Sequence, residues 1–334
     1  MAGKKKRQTL EDELAALRAV AADPRTPEAE ALLRAGLGSQ RSLVAARAAL
    51  IIKDRRLDGF APELCAAFDR WLAEPAKADP GCKAKLAVLE ALDYTETMDD
   101  APFLAGARCE QLEPAWGAPV DSAAGVRARA LLALARIGFT DLPLLAGELL
   151  ADKELGVRCA AADALAHCGA RAGAGLLLFK LAAGDAEPQV TLACMNALLS
   201  LAPDWGLRTL APHLSGAKEE QRELAALALG QSGRGDAADL LIDTLRAEVL
   251  PKRREVLLRA LGLHRSDKAL ELLLSTVAEG HAADAKAAVA SLGVRRFEPS
   301  MPTRVREAAQ RNEQVDLREA LEKAFPPTEE TAAR

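Results

Sequence analysis

Aromatic residues are scarce in this 334-residue chain: three Trp, one Tyr and seven Phe make up 3% of it. Val and Ile are thin beside Ala and Leu, and a chain poor in aromatic and β-branched residues is not built for sheet. Long apolar runs are missing too: stretches such as 128–134 are broken by Arg, Asp or Gly well before the roughly 20 residues that a membrane span needs. Near the start, Lys4, Lys5, Lys6 and Arg7 are followed by Glu11, Asp12 and Glu13 where a secretory signal would place its apolar run, so a cytoplasmic chain is expected. None of the six cysteines forms a C-x-x-C pair, and Cys159, Cys168 and Cys194 fall among Ala and Leu, where a reduced thiol acts as a small hydrophobe. A net charge of -4 gives an overall field that repels nucleic acid.

Catalytic patterns are equally thin. The four histidines, His167, His213, His264 and His281, form neither H-x-x-x-H nor H-E-x-x-H. His167 and His264 fall near predicted helix C-termini, where a capping role suits them. No G-x-S-x-G, P-loop or G-x-G-x-x-G occurs, so the nucleophile elbow and the phosphate cradle are both absent. The chain reads as a non-enzyme with no cofactor and no metal.

What is present is a repeat. Ala-Leu recurs at Ala49, Ala91, Ala133, Ala164, Ala197, Ala228 and Ala260, and as Ser291-Leu292, with a period of about 32 residues after two longer units at the front. Counting from Val126, Val157, Val190, Gln221, Arg253 and Asp284, offsets 0, 4, 7, 8 and 11 fall on one stripe of a 3.6-residue helix. Offset 7 is Ala or Ser, small enough for helices to approach closely, and offset 8 is always Leu, which fills the layer between them. Gly138, Gly169 and Gly233 at offset 12 read as helix stops that accept positive φ. A second apolar helix follows each stop, at 142–150, 174–182, 207–214, 237–247 and 268–278. Each unit is then a helical hairpin that buries its face only by stacking on its neighbours.

The run D-K-E-L-G-V-R-C-A-A-A-D-A-L-A-H-C-G at 152–169, with looser copies at 121–138 and 185–202, resembles the HEAT repeat in its short bacterial, PBS-lyase-like form. That resemblance covers 120–295 well and 40–115 weakly, and it implies an all-α fold, a right-handed α-solenoid of about eight HEAT-like helical hairpins. The expected layout is a basic disordered tail at 1–9, one solenoid over 10–325 and a disordered tail at 326–334. Within the solenoid, 10–40 is an N-terminal cap, 41–119 holds longer irregular repeats, 120–296 regular short ones, and 300–325 a C-terminal cap.

Arg127, Arg158, Arg222 and Arg254 occupy offset 1, and Asp121, Asp152, Asp185, Glu248 and Glu279 lie five residues before successive origins. The expectation is a ladder in which each Arg reaches an acidic turn residue of its own or the next unit; Thr191 and Gly216 break it. The ligand surface then falls at offsets 3, 6 and 10, which by resemblance to HEAT arrays line the concave face. Candidate partner contacts there are Arg129, Arg136, Leu224, Leu227, Gln231, Val256, Arg259 and Leu263, a mixture that suits a protein or peptide. Trp116, in the Pro-rich insertion 113–119, is a candidate loop contact, although folding back over Leu112 or Val120 is the favoured reading.

Three alternatives remain open. Basic residues gather at 252–268 and 286–311 (Lys252, Arg254, Arg265, Arg295, Arg296 and Arg304 among them) and could bind nucleic acid or another polyanion. Bilin lyase subunits share the short repeat, and HEAT-like alkylpurine DNA glycosylases use Trp and Asp, which are adjacent here as Asp204 and Trp205; Trp205 reads instead as a staple on an outer-layer helix. The metal site of HEAT-fold deoxyhypusine hydroxylases has no counterpart. Partner expectations are a protein or peptide, with no membrane, for a monomeric chain.

Overall fold

The computed structural model describes residues 9–169 and 171–326. The expected tails at 1–9 and 326–334 lie, apart from Thr9 and Pro326, outside the described residues. The chain divides into two compact units, Met1–Gly173 and Ala174–Arg334. The first contains α1 (Leu10–Val20), α2 (Pro27–Leu37), α3 (Ser42–Arg55), α4 (Ala61–Ala73), α5 (Lys83–Tyr94), α6 (Ala101–Ala107), the strands β1 (Leu112–Glu113) and β2 (Val120–Asp121), α7 (Ala124–Ile137), α8 (Leu142–Leu149) and α9 (Leu155–His167). Helix α10 (Arg171–Ala183) leads into the second, which holds α11 (Pro188–Leu201), α12 (Pro203–Leu214), α13 (Glu219–Gln231), α14 (Gly235–Ala247), α15 (Pro251–Leu263), α16 (Asp267–Glu279), α17 (Ala282–Leu292), α18 (Met301–Gln310) and α19 (Arg318–Ala324).

The local signals place the helix ends. Thr9 and Asp12 form a reciprocal capping box, and the Thr26 and Ser266 hydroxyls accept from the amides of Ala29 and Ala269. Pro27, Pro188, Pro203 and Pro251 open their helices, where the missing N–H is no loss. Gly138, Gly169 and Gly233 all adopt positive φ, at 72°, 63° and 67°, which makes them the expected stops.

The periodic stripe is the core. Val126, Ala130, Ala133 and Leu134 are buried, as are Val157, Ala161, Ala164 and Leu165, and Val190, Cys194, Ala197 and Leu198. In the first unit α3 stacks on α5, α5 on α7 and α7 on α9; in the second α11, α13, α15 and α17 stack in the same way. Gly230 and Gly262, at offset 9, set the closest approaches. A Cβ on Gly230 would lie 2.4 Å from the Ala260 carbonyl oxygen, and one on Gly262 would lie 2.6 Å from that of Ser291. Each unit is thus an all-α stack of HEAT-like helical hairpins.

Two segments depart from the helical repeat. In the insertion before α7, β1 and β2 pair antiparallel, with Leu112 opposite Asp121 and Glu113 opposite Val120. In the segment 74–81, Asp79 is completely buried and holds the start of α5.

Candidate partner-binding surfaces

The strand pair stands on a buried polar network. Asp79 Oδ1 and Oδ2 accept from the amides of Ala84 and Lys85, at 2.9 and 3.1 Å, and so cap α5. Lys85 Nζ donates to Gln111 Oε1 at 2.7 Å, while Gln111 Nε2 donates to the Asp79 carbonyl at 2.8 Å and to Glu113 Oε1 at 2.7 Å. The same Glu113 oxygen accepts from the Gly81 amide and from Ser122 Oγ, both at 2.7 Å. These three donors hold the Glu113 carboxyl below the usual carboxylate range, Ser122 contributing most, then Gly81 and Gln111. Burial pushes the Asp121 carboxyl up, but the amides of Gln111 and Ala123 and the Arg127 guanidinium outweigh it, leaving Asp121 below that range as well. Beyond this clamp every residue from 114 to 120 is exposed, and Trp116 is 108% accessible. The favoured reading, in which Trp116 folds back over Leu112 or Val120, is therefore wrong. Those two are themselves exposed, at 56% and 55%.

Arg129 and Arg136 do not stand free on the face of α7. Arg136 Nε donates to Asp93 Oδ1 at 2.7 Å and its NH2 to the Thr97 carbonyl at 2.9 Å, while Arg129 NH1 lies 3.4 Å from Asp93 Oδ2. The Arg129 guanidinium also lies 5.7 Å from the centroid of the half-exposed Tyr94 ring, with Lys53 Nζ at 5.5 Å. Both arginines tie α7 to α5, which lowers their availability to a partner.

In the second unit Leu224, Leu227, Val256 and Leu263 are each only partly buried, and Leu224 and Val256 also pack on the core. Gln231 and Arg259 are exposed. Asn196 Nδ2 donates to Gln231 Oε1 at 3.2 Å, linking α11 to α13. Arg259 is paired with Glu255 one turn back, at 3.0 Å. Beside the Asn196 to Gln231 link lies a groove of about 490 Å³, lined by Asn196, Leu199, Ser200, Gln231, Ser232 and Arg234.

Arg127 keeps to the expected ladder, whereas Arg254 and Arg222 depart from it. Arg127 spans Asp121 and Asp152 as expected. Arg254 passes over Glu279 and takes Asp284, Nε to Oδ2 at 2.8 Å, with its NH1 on the carbonyls of Leu245 and Glu248. Arg222, which has Gly216 where an acid would stand, donates to the Gly216 carbonyl at 2.6 Å, and its buried Nε has no partner among the described residues.

Other predicted features fall as follows. Trp205 is 56% exposed with Arg208 over its ring at 6.0 Å, so it does not act as a buried staple. His264 is buried and donates through Nε2 to the Arg234 carbonyl, 2.9 Å away, while its Nδ1 accepts from the Ser266 amide; it joins two hairpins rather than simply capping one helix. Cys194 is buried as expected, whereas Cys159 and Cys168 are intermediate. Burial pushes the Cys82 thiol up to about 11 and raises that of Cys109. No group of three metal-ligating side chains occurs among the described residues. No described helix is long and apolar enough to cross a membrane.

No protein-family model matches the chain, and no curated protein matches it. Among solved structures it is similar to the complex of CpcE and CpcF of phycocyanin lyase from Nostoc sp. PCC7120, at 18% identity over 82% of this chain and 96% of that one, with a TM-score of 0.43. It is also similar to YibA of E. coli, at 16% identity over 87% of this chain and 99% of that one, with a TM-score of 0.44. An engineered protein aligns at 18% identity over 96% of this chain and 94% of its own, with a TM-score of 0.35.

Proposed function

We propose that the chain is a non-catalytic scaffold that holds a protein or peptide partner on the face formed by α11, α13 and α15. The observation that carries this reading is the groove beside Asn196 and Gln231. Their mutual bond leaves one amide carbonyl and one amide N–H₂ for a ligand, the donor and acceptor pairing that an extended peptide backbone requires. Leu227 lies one turn before Gln231 on the same helix face, and Leu224, Val256 and Leu263 add partly exposed apolar surface nearby, a composition typical of protein interfaces. The test is capture from a nuclease-treated lysate by the intact chain and by the Leu227→Asp, Leu263→Asp double variant. The double variant should lose the captured protein while keeping its helical circular dichroism and melting temperature; capture by the folded double variant rejects the assignment.

A second reading, polyanion binding, has one observation of its own. Arg295, Arg265 and Arg304 act together on Glu298 and lower its pKa after the direct Arg295 hydrogen bond, and Arg296 lies 4.6 Å over the exposed Phe297 ring. An aromatic ring beside several cations can stack on a nucleotide base. Reversing charge at Arg259, Arg265 and Arg295 should abolish salt-dependent binding if this reading holds, and leave protein capture intact if the first does.

A further inference from the structure

We infer that Arg222 and Arg253 form a binding site for a carboxylate, which takes the place of the acidic side chain that equivalent arginines receive from the following hairpin.

The repeat itself supplies the rule. In four units the arginine at offset 1 sends NH1 back to the turn residue six places earlier: Arg127 to the Asp121 carboxylate, Arg158 to the Asp152 carbonyl, Arg222 to that of Gly216 and Arg254 to that of Glu248. This common anchor turns the Nε and NH2 edge toward the next hairpin. Arg127 fills that edge with Asp152, at 2.9 and 3.0 Å, and Arg254 fills it with Asp284, both nitrogens lying 2.8 Å from Oδ2. Asp152 stands five residues before the origin of its unit, and Asp284 at the origin itself. Those are the two places from which a hairpin answers the fork.

For Arg222 neither place answers. The origin is Arg253, a second cation where Asp284 stands one repeat later. Five residues earlier is Glu248, but its Oε1 accepts from the amides of Val249 and Leu250, both at 2.9 Å, and its Oε2 lies 3.6 Å from Arg253 NH1. The Glu248 carboxylate is thus engaged by its own turn, and the Arg222 Nε is left buried without a partner among the described residues. Arg222 as a whole is only 7% exposed. Burial on that scale is unfavourable for an unpaired guanidinium, and a carboxylate from outside removes the penalty through the contact that Arg127 and Arg254 already make.

Geometry and charge select the ligand. A planar fork with parallel N–H groups matches a carboxylate. Glu219 and Glu220 precede Arg222 on α13, Glu223 follows it and Glu248 belongs to the facing turn, so a single negative charge is accepted more readily than a double one. The flanking turn residues Ser215, Ala217, Lys218 and Val249 are exposed, which gives the group its approach.

The experiment titrates the full chain, labelled with 15N at the arginine Nε, with sodium acetate against sodium chloride at matched ionic strength, following the Nε–H resonances by NMR. Arg222→Lys identifies the Arg222 resonance by its loss. Acetate should move that resonance saturably and raise the melting temperature above the chloride control; Arg222→Met should abolish the melting shift. Arg253→Asp supplies a carboxylate where Asp284 serves Arg254, so it should bring the Arg222 resonance close to its acetate-saturated position with no acetate present and remove the response to added acetate. The blocked peptide Ala-Glu-Ala, titrated in parallel, separates two sources of the same group: a response to both ligands admits the acidic side chain of a partner, and a response to acetate alone assigns a small free carboxylate. A wild-type resonance indifferent to acetate overturns the inference, and a response that then appears only in Glu248→Gln would show that Glu248 fills the fork. It is also overturned by an equal response to chloride, by one that Arg253→Asp leaves intact, or by inorganic phosphate acting at lower concentration than acetate.

Discussion

Arg127 grips Asp152 of the following hairpin through two parallel bonds, Nε to Oδ2 at 2.9 Å and NH2 to Oδ1 at 3.0 Å. Its remaining nitrogen, NH1, reaches Asp121 Oδ2 at 2.8 Å and the Cys109 carbonyl at 2.9 Å. One guanidinium thus joins the hairpin base, its own helix and the next repeat. The geometry is the bidentate fork that Lys cannot reproduce.

Arg127→Met should destabilise the chain by about 3–5 kcal/mol, since it strands two carboxylates, one of them fully buried. Arg222 occupies the same repeat position with a single carbonyl contact and an orphaned Nε, so Arg222→Met should cost less than about 1.5 kcal/mol. Urea unfolding of the two variants compares them directly; equal losses would show that the network around Arg127 has no special weight.

Gly230→Ala should push α13 away from α15, because the new methyl meets the Ala260 carbonyl at 2.4 Å. The expected loss is about 1–3 kcal/mol, as for other overpacked cores. Gly235→Ala, with nothing within 4 Å and a place in the first turn of α14, is the control and should leave the melting temperature unchanged or slightly higher. A melting curve for each variant decides the point.

Acid should loosen the strand pair. Glu113 and Asp121 both titrate below the ordinary carboxylate range in the folded chain, so the stability that their ionised forms supply is present above about pH 4 and fades as pH falls through their lowered values. The 19F linewidth of 5-fluorotryptophan at Trp116 should be constant from pH 8 to pH 5 and narrow only below about pH 4. Narrowing already at pH 6 would mean that the carboxylates do not hold the hairpin.

Thiol labelling should be uneven. Cys82 and Cys109 are buried and their thiols are pushed up, Cys82 to about 11, so at pH 8 they should resist iodoacetamide in the folded chain and react after denaturation. Cys65, Cys159 and Cys168, only partly covered, should label before either of them. Mass spectrometry of partially modified protein gives the order.

The helical repeat was legible because its information is local. Val157, Ala161, Ala164 and Leu165 lie within nine residues of each other, and their spacing alone marks a buried stripe. The clamp is the opposite case. Asp79, Gln111 and Arg127 come from three separated segments, and nothing about a lone Asp or Gln in sequence says that it is buried. Strands of two residues carry no period that could be read. Arg129 and Arg136 looked available because the longer front repeats obscure which residues of α5 lie beside α7, and Asp93 turned out to be the one that does.

The unequal arginine contacts also bear on how the array could change length. A chain of this kind grows or shrinks by whole hairpins, and each such edit must rejoin two surfaces. Removing α7 and α8 would take away Arg127 and leave Asp152 without its fork, while the strand pair would lose the cation that fastens it. Around α13 the corresponding arginine touches only the turn before its own helix, so a hairpin could be copied or lost there without severing any ionic bond made by that residue. The front of the array is keyed together, and the back retains a seam at which evolution, or a protein engineer, can cut.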